Sequence, residues 1–391
     1  MICQPALDAE SHFYAQTKGV DGHRGLGKYA LKGRELTALA IQRLANFFGV
    51  RPEEIIFTSG ATAGLNLFAQ TWGRANLRPN DQIILSLLNH HSNICPWHAL
   101  AEELSLQLNF LPIHQSSGEL DLSSLESLLL QPSTRLLSLT HMSNVTGTFI
   151  PLDKVVAILK KVNKIRVARE QQPVRFLVDG AQGAPWRPQD FASHHLDFYI
   201  LTGHKMFAAT GIGAILARRE HLISKELPPF FVGGGMVEEV TLSHTTLTSS
   251  LAQKYSAGTP HSAGIISLAA AADHLSTLNL PEAHTQTSHL ATLLREQLQA
   301  KKIDYLTPLF PNQPPTPILA LTSAKYDVRD IANFLDSRNI AVRVGHHCTQ
   351  PLHQSLSIKD SLRFSFSLHN TQEEIAQIVV ALQDLTKRLA L

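Results

Sequence analysis

The run Asp197-Phe-Tyr-Ile-Leu-Thr-Gly-His-Lys205 joins an apolar, β-prone segment to a glycine turn that ends on a lysine. Upstream, Leu177-Val-Asp-Gly-Ala-Gln182 repeats the pattern with Asp179 as the first polar residue after the apolar run. Both charged groups therefore fall just past a strand, at the carboxyl edge of a parallel sheet, where open α/β folds bind their ligands. A lysine amine and a carboxylate on one rim suit pyridoxal 5′-phosphate (PLP). The amine condenses with the cofactor aldehyde, and the carboxylate keeps the pyridine nitrogen protonated. A surface lysine in a salt bridge with a strand-end aspartate is the alternative.

Outward from this pair, short β-prone runs alternate with helical patterns between about residues 35 and 265. Leu36, Leu39, Ala40, Leu44, Phe47 and Phe48 recur at helical spacing over 35–48. Strands are expected over 54–58, 82–86, 106–111, 135–140, 174–179, 197–201 and 213–217. Helices are expected over 63–72, 94–104, 123–130 and 152–168. This alternation argues for a mainly parallel sheet covered by helices on both faces. After Gly258-Thr-Pro260 the texture changes to helices over 265–280 and 284–301, and then to a proline-rich loop over 308–317. Strands over 318–321, 340–344 and 362–365, with helices over 328–338 and 371–389, complete a smaller α+β unit. The expected division is an N-terminal segment 1–25 packed on the small domain or on a partner subunit, a large domain 26–265, and a small C-terminal domain 266–391.

The 391 residues are 44% apolar and 17% charged, with a net charge of +2, as in a soluble globular chain of two or three domains. That charge gives no electrostatic reason to expect nucleic acid or a membrane surface. No apolar run reaches the ~18 residues of a membrane span. The first ten residues lack the basic start and apolar block of a secretory signal. Cys3, Cys95 and Cys348 are too few for a disulfide framework and show no metal-ligand spacing, which fits a reducing cytoplasm.

Five other stretches carry chemistry. In Thr58-Ser-Gly-Ala-Thr-Ala-Gly64, amides and the Thr62 hydroxyl at a helix start offer an anion site, or an ordinary helix cap. In Asn89-His-His-Ser-Asn-Ile-Cys-Pro-Trp97 an imidazole follows a strand, where it could lie on an aromatic cofactor and exchange protons. A loop pair without chemistry, or a metal site lacking a third ligand, is the other reading. Asn144, in His141-Met-Ser-Asn-Val-Thr-Gly147, could bond a ring hydroxyl or a carboxylate, or form a turn. In Arg343-Val-Gly-His-His-Cys-Thr-Gln-Pro351, Cys348 sits among histidines near Arg343, surroundings that favour thiolate unless the cysteine is structural. Arg363 opens the alternating run Ser361-Leu-Arg-Phe-Ser-Phe-Ser367 and wants a carboxylate, from a substrate or from the protein itself.

Taken in order, these motifs resemble the type II cysteine desulfurases, the Suf and Csd group of the class V, fold type I PLP enzymes. The similarity runs from about residue 20 to the C-terminus. It rests on His23-Arg-Gly25, Asn89–Trp97, Met142–Gly147, Val178-Asp-Gly-Ala-Gln-Gly183, Thr202-Gly-His-Lys205, Ala257-Gly-Thr-Pro260 and Arg343–Pro351. Met142–Gly147, Asp179–Ala184 and Gly233-Gly-Gly-Met-Val-Glu-Glu-Val240 look more like the Csd branch. The resemblance implies a seven-stranded, mainly parallel sheet and a homodimer. It implies that Lys205 holds PLP, that Asp179 pairs with the pyridine nitrogen, that Gln182 reaches the ring hydroxyl and that His91 stacks on the ring. Thr62, Ala61, Thr202 and His204 would hold the phosphate, with Thr259 from the other subunit. Asn144, Arg343 and Arg363 would bind the substrate carboxylate, and Cys348 would be the nucleophile. Lys205 and His91 are the implied bases. L-cysteine would become alanine, and a persulfide on Cys348 would pass to a sulfur-acceptor protein serving iron–sulfur cluster assembly.

The chain departs from that pattern in several places. Nothing matches the Leu-Asp-x-Ala-Ala-Thr strand and loop with which the family usually begins. Leu7-Asp-Ala9 fits the following helix better, so the chain reads as a shortened variant or a mis-started frame. Ala61, Asn89, Phe207-Ala-Ala209, Ser256, Val344 and His369 also replace the usual residues. A selenocysteine lyase, a cysteine sulfinate desulfinase, and a weakly active or non-catalytic paralogue that binds sulfur-transfer partners are the competing readings.

Overall fold

The protein is described by a computed structural model over residues 1–20, 25–188 and 190–389. His23 and Arg24 of the expected His-Arg-Gly motif lie outside the described residues. Seven strands form the central sheet: β1 (Ile55–Thr58), β2 (Gln82–Ser86), β3 (Gln107–Leu111), β4 (Thr134–Thr140), β5 (Arg175–Asp179), β6 (Phe198–Thr202) and β7 (Gly213–Ala217). Their order is β1-β7-β6-β5-β4-β2-β3. β2 to β6 pair in parallel, and β7 runs antiparallel to both of its neighbours, β1 and β6. This is the mainly parallel, seven-stranded sheet expected.

Side-chain alternation shows why these strands are central. Along β6, Phe198 and Ile200 enter one hydrophobic cluster while Tyr199 and Leu201 enter the other. β5 divides in the same way, with Phe176 and Val178 opposite Leu177. A strand buried on both faces must be apolar at every position, hence the continuous apolar runs. Helices Lys28–Phe48, Leu152–Ala168 and Ser262–Ser276 cover one face; Ala61–Phe68, Trp72 and Cys95–Leu104 cover the other.

A hairpin, β8 (Val237–Val240) and β9 (Thr245–Leu247), precedes a second sheet. The latter consists of β10 (Thr307–Pro308), β11 (Ile318–Thr322), β12 (Arg343–Gly345) and β13 (Ser361–Ser365), antiparallel in the order β10-β11-β13-β12. Helices Leu280–Ala300, Val328–Asp336 and Gln372–Leu389 pack on it through stripes such as Leu290, Leu294 and Leu298.

Three expectations shift. The side chains of Ile265 to Leu275 join the large cluster, and the second core begins at Leu290, so the 266 boundary marks connecting helices rather than a new core. The helix Gln4–Thr17 packs on Lys28–Phe48 and Ser262–Ser276, helices of the large cluster, because Ala6, Phe13 and Thr17 line one face. β12 starts at Arg343 rather than at 340. Asn339 closes the preceding helix with φ +60, and Ile340 N–H turns back to Leu335 O, so that Ile340 and Val342 plug the second core.

Candidate active site

The site forms at the carboxyl ends of β1, β2, β4, β5 and β6, against the edge of the small sheet. Asp179 ends β5 and is 3% exposed. Burial pushes its carboxyl pKa up, against the pull of the Ala181 N–H bond and the Lys205 charge. Lys205 ends a single helical turn after β6. Burial lowers its amine pKa; Asp179 and Cys348 act in the opposite sense, and Arg363 adds to the lowering. The strand-end amine and carboxylate therefore share one site, which Cys348 reaches from the turn after β12 and Arg363 from β13.

The turn after Asp179 lies flat on two rings. A Cβ at Gly180 would stand 2.0 Å from Tyr199 Cζ, and one at Gly183 would stand 2.3 Å from His141 Nδ1. His141, fully buried, bonds Tyr199 Oη through Nδ1 at 2.8 Å and Asp190 Oδ2 through Nε2 at 3.0 Å. Its backbone N–H donates to Asp179 O at 2.8 Å. This support under Asp179 and Gln182 was not read from sequence. The two glycines of Asp-Gly-Ala-Gln-Gly were its visible trace, since a close approach of ring to backbone requires them.

The two adjacent histidines part company. Ser92 N–H donates to His90 Nδ1 at 3.1 Å, which places the proton of the neutral ring on Nε2. Burial, with the charges of Lys205, His91 and Arg363, pushes His90 down to about 4. His91 turns toward the Cys348 loop instead: its N–H donates to Cys348 O at 2.7 Å, and its Nε2 accepts Gln350 N–H at 3.0 Å. Burial and nearby His346 lower its pKa. His90, which the sequence reading passed over, is the imidazole in the field of Lys205.

Hydroxyls cluster beside the first helix turn. Thr62 Oγ1 lies 2.7 Å from Ser92 Oγ, which in turn lies 3.1 Å from His90 Nδ1. Thr202 Oγ1 lies 3.0 Å from His204 Nδ1. Ala61 opens the helix Ala61–Phe68 after Gly60, whose φ of +148 suits glycine. Gly213 permits that turn to approach, because a Cβ there would stand 2.6 Å from Gly60 Cα. Thr259 is exposed and lines a cavity of ≈ 830 Å³ that also takes in Thr58 and Ser59, just before the Gly60 turn.

Cys348 is exposed on a turn in which both His347 (φ +51) and Cys348 (φ +56) are left-handed. That conformation costs a non-glycine residue about 1–2 kcal/mol, and hydrogen bonds from both sides hold it. Asn144 Nδ2 donates to His347 O at 2.7 Å, and Thr349 Oγ1 donates to Asn144 Oδ1 at 3.1 Å. Asn144 thus braces the cysteine turn and keeps one amide N–H for a ligand. Arg363 Nη1 donates to Asn144 O at 2.7 Å, while its buried Nε has no hydrogen-bond partner. Arg343 stands directly opposite on β12. Burial, reinforced by Arg343, brings Arg363 down to about 10. Two arginines paired on neighbouring strands, one with an unsatisfied buried N–H, have the charge and the donors to bind a carboxylate.

Several relatives of the chain are cysteine desulfurases. A cysteine desulfurase of Shigella flexneri is 35% identical over 384 residues, 98% of this chain and 90% of its own length. One from Escherichia coli strain K12 / DH10B matches to the same extent. Among solved structures, the Escherichia coli cysteine desulfurase CsdA in an S-sulfonic acid form superposes with a TM-score of 0.86 at 30% identity, covering 99% of this chain and 92% of that one. The apo cysteine desulfurase of Thermococcus onnurineus NA1 gives 0.89 at 28% identity, with the same coverage. The aminotransferase class-V family model matches residues 1–378. The chain belongs to the aminotransferase class-V family.

Proposed function

We propose that the protein is a PLP-dependent cysteine desulfurase that converts L-cysteine to L-alanine and takes the sulfur as a persulfide on Cys348. The observation that carries this reading is the meeting, in one site, of Lys205 and buried Asp179 with a thiol held on a left-handed turn. The residues suit PLP: the Asp179 carboxylate is buried with a single backbone N–H partner, and hydroxyls and His204 flank the glycine turn. When bound there, PLP supplies the electron sink that loosens the Cα proton and activates the Cβ–S bond.

The chain supplies the rest. Asp179 would pair with the pyridine nitrogen, and Gln182 would serve the ring hydroxyl. Thr62, Ala61, Thr202 and His204 would hold the phosphate. Lys205, its pKa lowered by burial, would hold the cofactor and carry the Cα proton. Arg363, Arg343 and the remaining Asn144 N–H bind the substrate carboxylate. The Cys348 thiolate bonds to the substrate sulfur as the Cβ–S bond breaks; the electron pair stays with carbon, which takes a proton and leaves as alanine. The ring-facing role expected for His91 passes to His90, a neutral imidazole with Nε2–H, because His91 is committed to Gln350.

Thr259, exposed on a cavity wall, suits a homodimer in which each copy serves its partner's phosphate site. An exposed Cys348 suits transfer to a Suf- or Csd-type sulfur acceptor in iron–sulfur cluster assembly, in the cytoplasm. No described helix is long and apolar enough to cross a membrane. The test is turnover by purified holoprotein with L-cysteine and a reductant. Alanine and sulfide are expected in equal amounts, and alanine outpacing sulfide would overturn the reading. Competition with selenocysteine and cysteine sulfinate ranks the substrates.

A further inference from the structure

Behind the cysteine turn lies a buried chain of side chains that the proposed chemistry does not use. His353 Nδ1 lies 3.0 Å from Thr349 O, and its Nε2 lies 2.9 Å from Ser361 Oγ. The same Ser361 oxygen lies 2.9 Å from His347 Nε2. Ser361, Thr349 and His353 are buried, on β13, in the cysteine turn and on the short helix Gln350–Ser355 respectively.

The direction of each bond follows from what each atom can do. A carbonyl oxygen accepts only, so His353 Nδ1 carries the proton and donates to Thr349 O. Burial lowers the pKa of both rings, His347 to about 3, so each is neutral and holds one N–H. His353 Nε2 is then an acceptor and takes the Ser361 hydroxyl proton. Ser361 Oγ in turn accepts from His347 Nε2–H. The chain runs one way, from His347 through Ser361 and His353 to the Thr349 carbonyl, and it leaves and re-enters the backbone on either side of Cys348.

We infer that His353 and Ser361 are positioning residues that lock the His347–Cys348 turn, closing a side-chain loop around the thiol. Two consecutive left-handed non-glycine residues relax unless tethered on both flanks. Asn144 ties the backbone of the turn from the large sheet, and this chain ties its side chain to β13. Neither residue touches the reacting atoms. Their effect is to hold Cys348 Sγ at one distance from Lys205 and Arg363. The functional part of this inference rests on the desulfurase reading; the structural part does not.

The test uses holoprotein and two readouts that need no turnover. These are hydrogen exchange of the 347–350 amides and peptide-resolved alkylation of Cys348 by iodoacetamide, with Cys95 and Cys3 as internal references. Ser361→Ala leaves a donor and an acceptor stranded. Exchange at 347–350 should rise about ten- to hundred-fold, and the Cys348 alkylation rate should change while that of Cys95 stays constant. His347→Leu should reproduce this, and His347→Gln, which keeps an N–H donor at the Nε2 position, should retain protection. Exchange in Ser361→Ala within twofold of the parent, or raised equally across the protein, overturns the inference. If Ser361→Ala does not fold, the His347→Leu and His347→Gln pair decides, and equal exchange in the two overturns it. Absence of alanine formation in the parent protein would strike the desulfurase reading and leave the exchange result standing.

Discussion

The adjacent imidazoles of His90 and His91 face different groups because a different backbone N–H claims a nitrogen in each. His90 is the N-cap of a short helical turn, and its side chain folds back on Ser92, which aims the rest of the ring into the field of Lys205. His91, one residue on, points across to the cysteine loop. With the ring-facing position, the acid–base role expected for His91 also passes to His90, so His90→Ala should slow single-turnover alanine formation by roughly 10²–10⁴-fold, the usual scale of a lost proton-transfer group. His91→Ala should cost less than about tenfold, the worth of one neutral hydrogen bond. The reverse order would return the ring-facing role to His91. Sequence placed Lys205, Asp179 and Cys348 correctly as strand-end and loop groups because apolar runs mark where strands stop. It could not choose between two neighbouring histidines, because that choice rests on a side-chain-to-backbone bond. The serine two residues after His90 was the available signal.

The elements that carry these residues were legible wherever burial dictates a pattern. β5 and β6 are apolar throughout residues 176–178 and 198–201 because helices cover both faces, and their ends put Asp179 and Lys205 on one rim. Elements without a buried stripe went unread. The hairpin β8–β9 is mostly exposed, and the helix Gln350–Ser355 buries only Leu352 and His353. The turn that follows β5 is set by contact rather than by propensity, since Gly180 and Gly183 rest on Tyr199 and His141. Gly180→Ala should push Tyr199 or Asp179 out of place and cost about 1–3 kcal/mol, the usual penalty of overpacking. Weaker PLP binding by fluorescence titration, with a lower melting temperature, is the expected result. An unchanged PLP dissociation constant would show that the ring contact does not set the height of Asp179.

At the scale of the whole molecule, stability at alkaline pH depends on a network at the amino ends of β5 and β6. Burial alone would lower the His221 pKa, but its bonds to Asp197 at 2.8 Å and Glu226 at 3.0 Å push it up to about 9. Burial would raise the Glu226 pKa, but His221 and Arg175 bring it down to about 2. A folded-state pKa above the unfolded 6.5 means that the stability from His221 is fully present below pH 6.5 and is lost as pH rises through 9. The loss is up to about 3 kcal/mol. The Glu226 contribution, present above pH 4.5, disappears as pH falls toward 2. The melting temperature should fall between pH 6.5 and 9, and His221→Gln should flatten that slope; an equal slope in both proteins would contradict this. Large sheet, small sheet and network together serve one arrangement, a thiol set before a lysine–aspartate pair. The most direct test of that arrangement is the mass of the Cys348 peptide after holoprotein meets L-cysteine without reductant. One added sulfur atom on Cys348, with an equal amount of alanine released and no sulfide formed by Cys348→Ala, is the expected result. Full alanine and sulfide formation by Cys348→Ala, with Cys348 unmodified in the parent protein, would contradict it.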